Sequence, residues 1–163
     1  MNWSWDSYFM NLVYLVASKS KDEKTHIGAV IVGNNNKIIS TGYNNFPRSI
    51  NDDVKERQER PEKYNWFAHA EVNAIYSAAE IGVKTEGCRM YTNGVPCSNC
   101  AMGIINSGIK EVIVDYFWDK HNYNQWKELA EITKQMFIEA EIQLIYHVTV
   151  LVPLIKYRDG KVI

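Results

Sequence analysis

Apolar residues recur at helical spacing near the start of the chain. Trp5, Tyr8, Phe9, Leu12, Val13 and Val16 fall on one face, and Ser4 ahead of them is the type of residue that caps a helix N-terminus. The period then shortens. Residues 27–32 and 37–42 are apolar runs rich in β-branched side chains, and Gly33-Asn34-Asn35-Asn36 between them predicts a hairpin turn. Residues 43–67 show no period at all. A second helical pattern (Ala70, Ala74, Ile75, Ala78, Ala79) begins at His69 and runs to Gly82, a residue suited to closing a helix. A strand over 89–92, a third helix over 97–107 closed by Gly108, and a strand over 111–115 follow. A fourth helix over 124–140 has Trp126, Leu129, Ile132 and Phe137 as its apolar positions. A last strand covers 142–150, and a short tail has a turn near Pro153.

The predicted order is α-β-β-α-β-α-β-α-β. Strands separated by helices favour parallel pairing, and the first two favour an antiparallel hairpin. The expectation is an α/β fold with a mixed five-stranded sheet and helices on both faces. No repeat or low-complexity segment divides the 163 residues, which suit a single domain with one buried core.

Composition changes this picture by exclusion. Apolar residues make up 46% and charged residues 23%, the balance of a soluble globular protein. The net charge of −1 supplies no strong basic field for a nucleic-acid backbone. No apolar run approaches the roughly 20 residues of a membrane span. The first residues lack the basic and apolar regions of an export signal, so a cytoplasmic protein is expected, or one of the host cytoplasm if the chain is viral. The charge is unevenly spread, however. Within residues 48–63, 10 of 16 positions are charged, five of each sign. Such a stretch reads as a solvated loop or, since long loops in compact domains tend to be functional, as a flap over a substrate.

Candidate chemistry lies at two predicted helix starts. Three cysteines, Cys88, Cys97 and Cys100, make a poor disulfide framework in a chain without an export signal. By itself Cys97-x-x-Cys100 reads as a redox pair or as half of a structural zinc site. A structural site needs a fourth ligand, and His26, His121 and His147 have no ligand-like spacing to the pair. His69 supplies a third ligand, and two thiolates with one imidazole leave a tetrahedral zinc one open position, the pattern of a catalytic rather than a structural ion. Helix N-termini at both segments favour thiolate over thiol. Glu71, two residues after His69, is turned about 200° away on a helix. It is therefore better suited to handling protons beside the metal than to ligating it. Cys88 is left as a small buried apolar residue.

Together, His69-x-Glu71 and Pro96-Cys97-x-x-Cys100 are a signature of zinc-dependent nucleobase deaminases. The chain resembles the cytidine/deoxycytidylate deaminase superfamily, and its deoxycytidylate branch most closely. The resemblance rests on Ser18-Lys19-Ser20-Lys21-Asp22, residues 27–32, Thr41-Gly42-Tyr43-Asn44-Asn45-Phe46-Pro47-Arg48, Asn51-Asp52-Asp53, residues 69–75 and residues 96–109, which cover about residues 5–115 in order. It implies a three-layer α-β-α cytidine deaminase-like fold around the mixed sheet. It implies one catalytic Zn²⁺ held by His69, Cys97 and Cys100, with Glu71 carrying protons to N3 and to the leaving amine as dCMP becomes dUMP, a precursor for thymidylate synthesis.

The same resemblance implies that Asn44 contacts sugar or base, that Ala70 and Pro96 line the base pocket, and that Phe67 or Trp66 stacks on the base unless it merely packs ahead of the helix. A 5′-phosphate needs a cation or hydroxyls; Lys19, Ser20, Arg48 and Lys120 are the candidates. Relatives of this kind are commonly homohexamers activated by dCTP and inhibited by dTTP, with Mg²⁺ accompanying the nucleotide effectors. Asn45 replaces the glycine that usually follows Gly-Tyr-Asn, and asparagine tolerates a positive φ at such a turn. Residues 43–67 contain no Cys or His, so a single zinc is expected. Competing expectations are another substrate within the superfamily (dCTP, cytidine or cytosine, or tRNA adenosine) and a non-catalytic, zinc-stabilised binding module. An intact Glu71 argues against the last.

Overall fold

In the computed structural model, residues 3–154, 156–158 and 161–162 are described. The side chains of 123–126, 157 and 162 fall outside the description, and Trp126 of the predicted apolar stripe is among them. Helix α1 spans Trp5–Ala17, β1 Gly28–Val32, β2 Ile38–Tyr43, α2 Ala70–Glu80, β3 Arg89–Thr92 and α3 Ser98–Asn106. Strand β4 spans Glu111–Asp115, α4 Tyr116–Glu139 and β5 Gln143–His147; two short strands, β6 Tyr157–Arg158 and β7 Lys161–Val162, follow. The five long strands form one sheet in the order β2-β1-β3-β4-β5. β1 is antiparallel to both β2 and β3, while β3, β4 and β5 run parallel. This is the expected mixed sheet with helices on both faces.

The central strands have no polar face, because both faces are covered. All five residues of β1 are buried. Val30, Val32, Tyr91 and Ile113 point toward α1 and meet Phe9, Met10 and Val13. Ala29, Ile31, Met90, Val112 and Val114 point the other way, into a core shared with Ala74 of α2, Ala101 and Ile104 of α3 and Phe137 of α4. Cys88 belongs to this second core, as its sequence context predicts. Alternation along each strand thus selects the layer each side chain joins.

Ser4 caps α1, its hydroxyl accepting from the Ser7 N–H at 3.1 Å. Gly82 and Gly108 take positive φ values of 71° and 76° just past α2 and α3, where a side chain would be strained. Asn35 and Asn36 take the same left-handed region in the β1–β2 turn. Gly42 has a different role. A Cβ there would lie 2.3 Å from the Ala70 carbonyl oxygen and 2.3 Å from the Ala74 nitrogen, so α2 rests directly on the β2 backbone.

Three expectations need correction. Helix α4 starts at Tyr116, eight residues before the predicted position 124. Asp115 ends β4 and caps the helix at once, accepting from Phe117 N at 2.8 Å and Trp118 N at 3.2 Å. The last strand stops at His147 rather than 150. Beyond it, Asn11 of α1 takes over the backbone, its side chain donating to the Val150 oxygen and accepting from the Val152 nitrogen, each at 3.0 Å. The tail has no helical turn at Pro153; β6 and β7 pair antiparallel instead. Among the described residues no helix is long and apolar enough to cross a membrane.

Candidate active site

The site forms where β3 and β4 end and two helices begin, the edge at which open α/β sheets place their ligands. His69 is the N-cap of α2 and Cys97 the N-cap of α3. Cys97 follows the end of β3 by a short link, and His69 follows Ala68, which is bridged to Asn45. Asn73 ties the α2 junction to β2 by donating to the Tyr43 oxygen at 2.8 Å. α4 secures the other junction, with Thr133 Oγ1 donating to the Pro96 oxygen at 2.8 Å and Asp119 accepting from the Val95 N–H at 2.9 Å.

These supports bring three potential ligands together. His69 Nδ1 lies 3.4 Å from Cys97 Sγ and 3.4 Å from Cys100 Sγ. All three ligand atoms lie within 4.8 Å of one another, and burial rises from exposed His69 through half-buried Cys97 to buried Cys100. Tetrahedral zinc with ordinary Zn–N and Zn–S bonds sets nitrogen–sulfur edges of about 3.5 Å. The separations and the soft donor set therefore fit zinc. Glu71 is buried on the first turn of α2, its Oε2 3.6 Å from Cys100 Sγ.

The electrostatics suit a cation. The Cys100 hydrogen bond and then His69 favour ionisation of Cys97 and hold its thiol well below the usual range against the opposing effect of burial. The interaction with Cys97 raises His69 to about 9. Cys100 is pushed up by its hydrogen bond with Cys97 and by burial. Burial is the main cause that pushes the Glu71 carboxyl up.

This cluster opens into a pocket of about 180 Å³, below the roughly 300–1,000 Å³ of sites for drug-sized molecules and suited to a small heterocycle. Asn44, Phe67, Ala70 and Pro96 line it. Asn44 is heavily engaged within the protein. Its Nδ2 donates to Asp22 at 3.0 Å and to the Thr25 oxygen at 2.9 Å, and its Oδ1 accepts from Ile27 N at 2.8 Å. Phe67 also packs on Phe46, with ring centroids 4.3 Å apart. Asn45 does not adopt a positive φ; it bridges to Ala68 in extended conformation, so this turn has no need of glycine.

The candidate phosphate contacts are not brought to the pocket. Ser20 is buried but spends its hydroxyl on the Asn44 oxygen at 2.8 Å and the Asp22 nitrogen at 3.1 Å. Arg48 pairs with Glu80 on the surface, Lys120 lies near the Tyr116 ring and Lys19 is exposed; none of them lines the pocket. Trp66 also lies outside the lining, its indole donating to Glu62 at 2.7 Å under the Arg57 guanidinium. In their place stand residues the sequence reading passed over: Asp22, Arg60, Lys63, Tyr64, Trp118 and Asn122. Asp22 sits within a segment that carries the family resemblance, which was a usable signal. Lys63 is one of ten charged residues in the flap, with nothing in its spacing to single it out.

Comparison with known proteins agrees with this geometry. Residues 3–116 match a family model described as the cytidine and deoxycytidylate deaminase zinc-binding region. The deoxycytidylate deaminase of Homo sapiens is 42% identical over 123 residues, covering 72% of this chain and 67% of the human protein. An uncharacterized deaminase of Aliivibrio fischeri is 35% identical over 140 residues, covering 86% of this chain and 91% of its own. In fold, the chain superposes on the dCMP deaminase of cyanophage S-TIM5, solved in complex with dCMP and dUMP. The TM-score is 0.71 at 18% identity, covering 90% of this chain and 99% of the phage chain. Because the zinc-binding region model matches residues 3–116, more than half of the chain, the chain belongs to the cytidine and deoxycytidylate deaminase family.

Proposed function

We propose that the protein catalyses the hydrolytic deamination of dCMP to dUMP and ammonia. The observation that carries this reading is the buried Glu71 carboxyl, 3.6 Å from Cys100 Sγ, beside a three-ligand metal set that borders a small pocket. Two relatives support the choice of substrate. The human protein at 42% identity is a deoxycytidylate deaminase, and the phage enzyme of the same fold was solved with dCMP and dUMP.

His69, Cys97 and Cys100 would hold one zinc ion. When bound, zinc supplies Lewis-acid activation of water. Glu71 takes a proton from the attacking water and delivers it to N3 of cytosine as the water oxygen adds to C4. It then moves the second proton from that oxygen to the C4 amino group, the C4–N bond breaks, and ammonia leaves with a carbonyl formed at C4. Burial keeps the carboxyl away from bulk water while it holds each proton. Ala70 and Pro96 near the two helix starts, together with Phe67, would shape the slot for the ring. Asn44 would act mainly by fixing the wall, with the remaining lone pair of its Oδ1 open to the sugar.

The resemblance alone supports the wider reading: a cytoplasmic homohexamer, activated by dCTP and inhibited by dTTP with Mg²⁺, that feeds thymidylate synthesis. The test is an absorbance assay on dCMP, dCTP, deoxycytidine, cytosine and a tRNA stem-loop, with and without a chelator. Turnover of dCMP alone is expected, abolished by chelation and restored by added zinc. Turnover of deoxycytidine with none of dCMP would overturn the reading.

A further inference from the structure

The part of the pocket that comes from α4 has no role in the chemistry above. Trp118, Asp119 and Asn122, from the first two turns of that helix, line the pocket. Trp118 also lines a second, open hollow of about 530 Å³, together with Tyr14, Asp115 and His121. The indole therefore borders space on two sides. Close packing fixes most interior side chains. A side chain with a hollow beside it depends more on the backbone that carries it.

Asp115 anchors that backbone. It ends β4 and caps α4, with Oδ1 accepting from Phe117 N and Trp118 N. Its own N–H donates to the Asn93 oxygen at 3.1 Å, one residue before Gly94. Its second carboxylate oxygen, Oδ2, accepts from the Tyr14 hydroxyl at 2.7 Å. Burial and then Asp115 push the Tyr14 phenol up, which keeps it a neutral donor. The Tyr14 ring also stands edge-on to Trp118, with ring centroids 6.3 Å apart. Trp118 in turn packs on Gly94, where a Cβ would lie 3.1 Å from its Cδ1, and Asp119 accepts from the Val95 N–H at 2.9 Å. A line of contacts thus runs from α1 through Asp115 to Trp118 and on to the loop before Pro96 and Cys97. Asp115 is buried but lines the hollow. Without the Tyr14 hydroxyl, its carboxylate is left short of a donor and turns toward the hollow, drawing Oδ1 off the two N–H groups that start α4.

We propose that Tyr14 is a positioning residue for substrate binding: through Asp115 it holds the start of α4 so that Trp118 closes one side of the nucleotide pocket. The proposal rests on the dCMP reading for the ligand that is seated there. Tyr14 does not line the pocket itself. Its effect therefore falls on how tightly the nucleotide is held and leaves the proton transfers at Glu71 alone.

The test uses the zinc-loaded protein. Tyr14→Phe removes the donor and keeps the ring beside Trp118. A second tyrosine supplies the control. The Tyr91 hydroxyl donates to Asp6 at 2.7 Å, which also ties α1 to the sheet, but Tyr91 does not line the pocket. Tyr91→Phe thus loses the same kind of bond to the same helix. Both variants should lower the melting temperature by a similar few degrees. Only Tyr14→Phe should raise KM for dCMP and Kd for dUMP, by about five- to tenfold, with kcat within about twofold of wild type. Tyr14→Phe/Asp115→Asn keeps a capping oxygen and removes the unpaired buried charge, so it serves as well if Tyr14→Phe folds poorly. It should raise KM no further than Tyr14→Phe, because both changes cut one connection. With fluorotryptophan incorporated, and the Trp118 signal identified by Trp118→Phe, Tyr14→Phe should shift or broaden that fluorine resonance in the ligand-free protein. Tyr91→Phe should leave it in place.

Equal rises in KM for Tyr14→Phe and Tyr91→Phe, or no rise for Tyr14→Phe, would reduce the bond to a brace of α1 and overturn the proposal. A fall in kcat at unchanged KM would overturn it too, as would loss of zinc from Tyr14→Phe, since either would move the effect to the metal side. A wild-type protein that neither turns over dCMP nor binds dUMP defeats the functional reading. The fluorine signal needs no substrate, and a Trp118 resonance that Tyr14→Phe leaves unmoved defeats this inference alone.

Discussion

The metal-ligand side of the pocket and its flap side are made of different material. His69, Glu71, Cys97 and Cys100 sit at or within the first turn of α2 and α3, and hydrogen bonds from Asn73 and Thr133 hold the segments around those helix starts. The flap side comes from residues 44–67, which hold two short 3₁₀ turns, Lys55–Gln58 and Glu62–Asn65, and are tied down by side-chain pairs such as Lys63 with Asp22 and Phe67 with Phe46. Bond-making needs groups held to fractions of an ångström, which rigid element ends provide. Recognition of the rest of a substrate tolerates a loop and can vary with it.

The sharpest way to break this comparison is to remove the proton carrier and leave the metal ligands. Glu71→Gln keeps the shape of the side chain and takes away its ability to cycle a proton. Turnover of dCMP should fall by about 10²–10⁴-fold, the usual contribution of a positioned acid–base group, while zinc content by atomic absorption stays near one per chain. Retention of more than a tenth of the activity would remove Glu71 from the chemistry and undo the assignment of the metal-ligand side.

A smaller but still large effect should come from a residue that touches neither zinc nor substrate. Gly42 is where β2 meets α2, and an added methyl group would meet the Ala70 and Ala74 backbone at 2.3 Å. Since backbone cannot give way as a flexible side chain can, Gly42→Ala should displace the start of α2 and carry His69 and Glu71 with it. An activity loss of at least about tenfold is expected, together with a lower melting temperature. Full activity would mean that the α2 backbone yields to the added methyl group despite the 2.3 Å approach.

The same contrast explains what could be read from the sequence. The zinc set and Glu71 fall in two short motifs whose internal spacing is fixed by helical geometry, so they stand out before any fold is known. The sheet was legible from β-branched runs such as Val112-Ile113-Val114. The start of α4 was not, because Tyr116, Phe117 and Trp118 are mediocre helix formers with no obvious period; the signal was Asp115, which ends a strand and caps the helix in one residue. The end of β5 depended on Asn11, more than 130 residues away, which no local pattern reveals. The flap was harder still. Its five cations look alike in sequence, and which one turns inward is decided by a carboxylate on a different segment.

Arg48 and Lys63 put that last point to the mildest test, since both are cations of one flap. Lys63 is buried against Asp22 in the pocket wall, whereas Arg48 pairs with Glu80 at the end of α2 with 78% of its side chain exposed. An exposed pair of long side chains gains little, because water and salt screen the attraction and ordering both chains offsets what remains. Arg48→Ala should therefore leave kcat/KM for dCMP within about twofold and shift the melting temperature by no more than about 2 °C. A several-fold rise in KM for dCMP, absent for deoxycytidine, would mean that Arg48 leaves Glu80 to reach the phosphate. The division of the flap into an inward cation and an outward, dispensable one would then have to be redrawn.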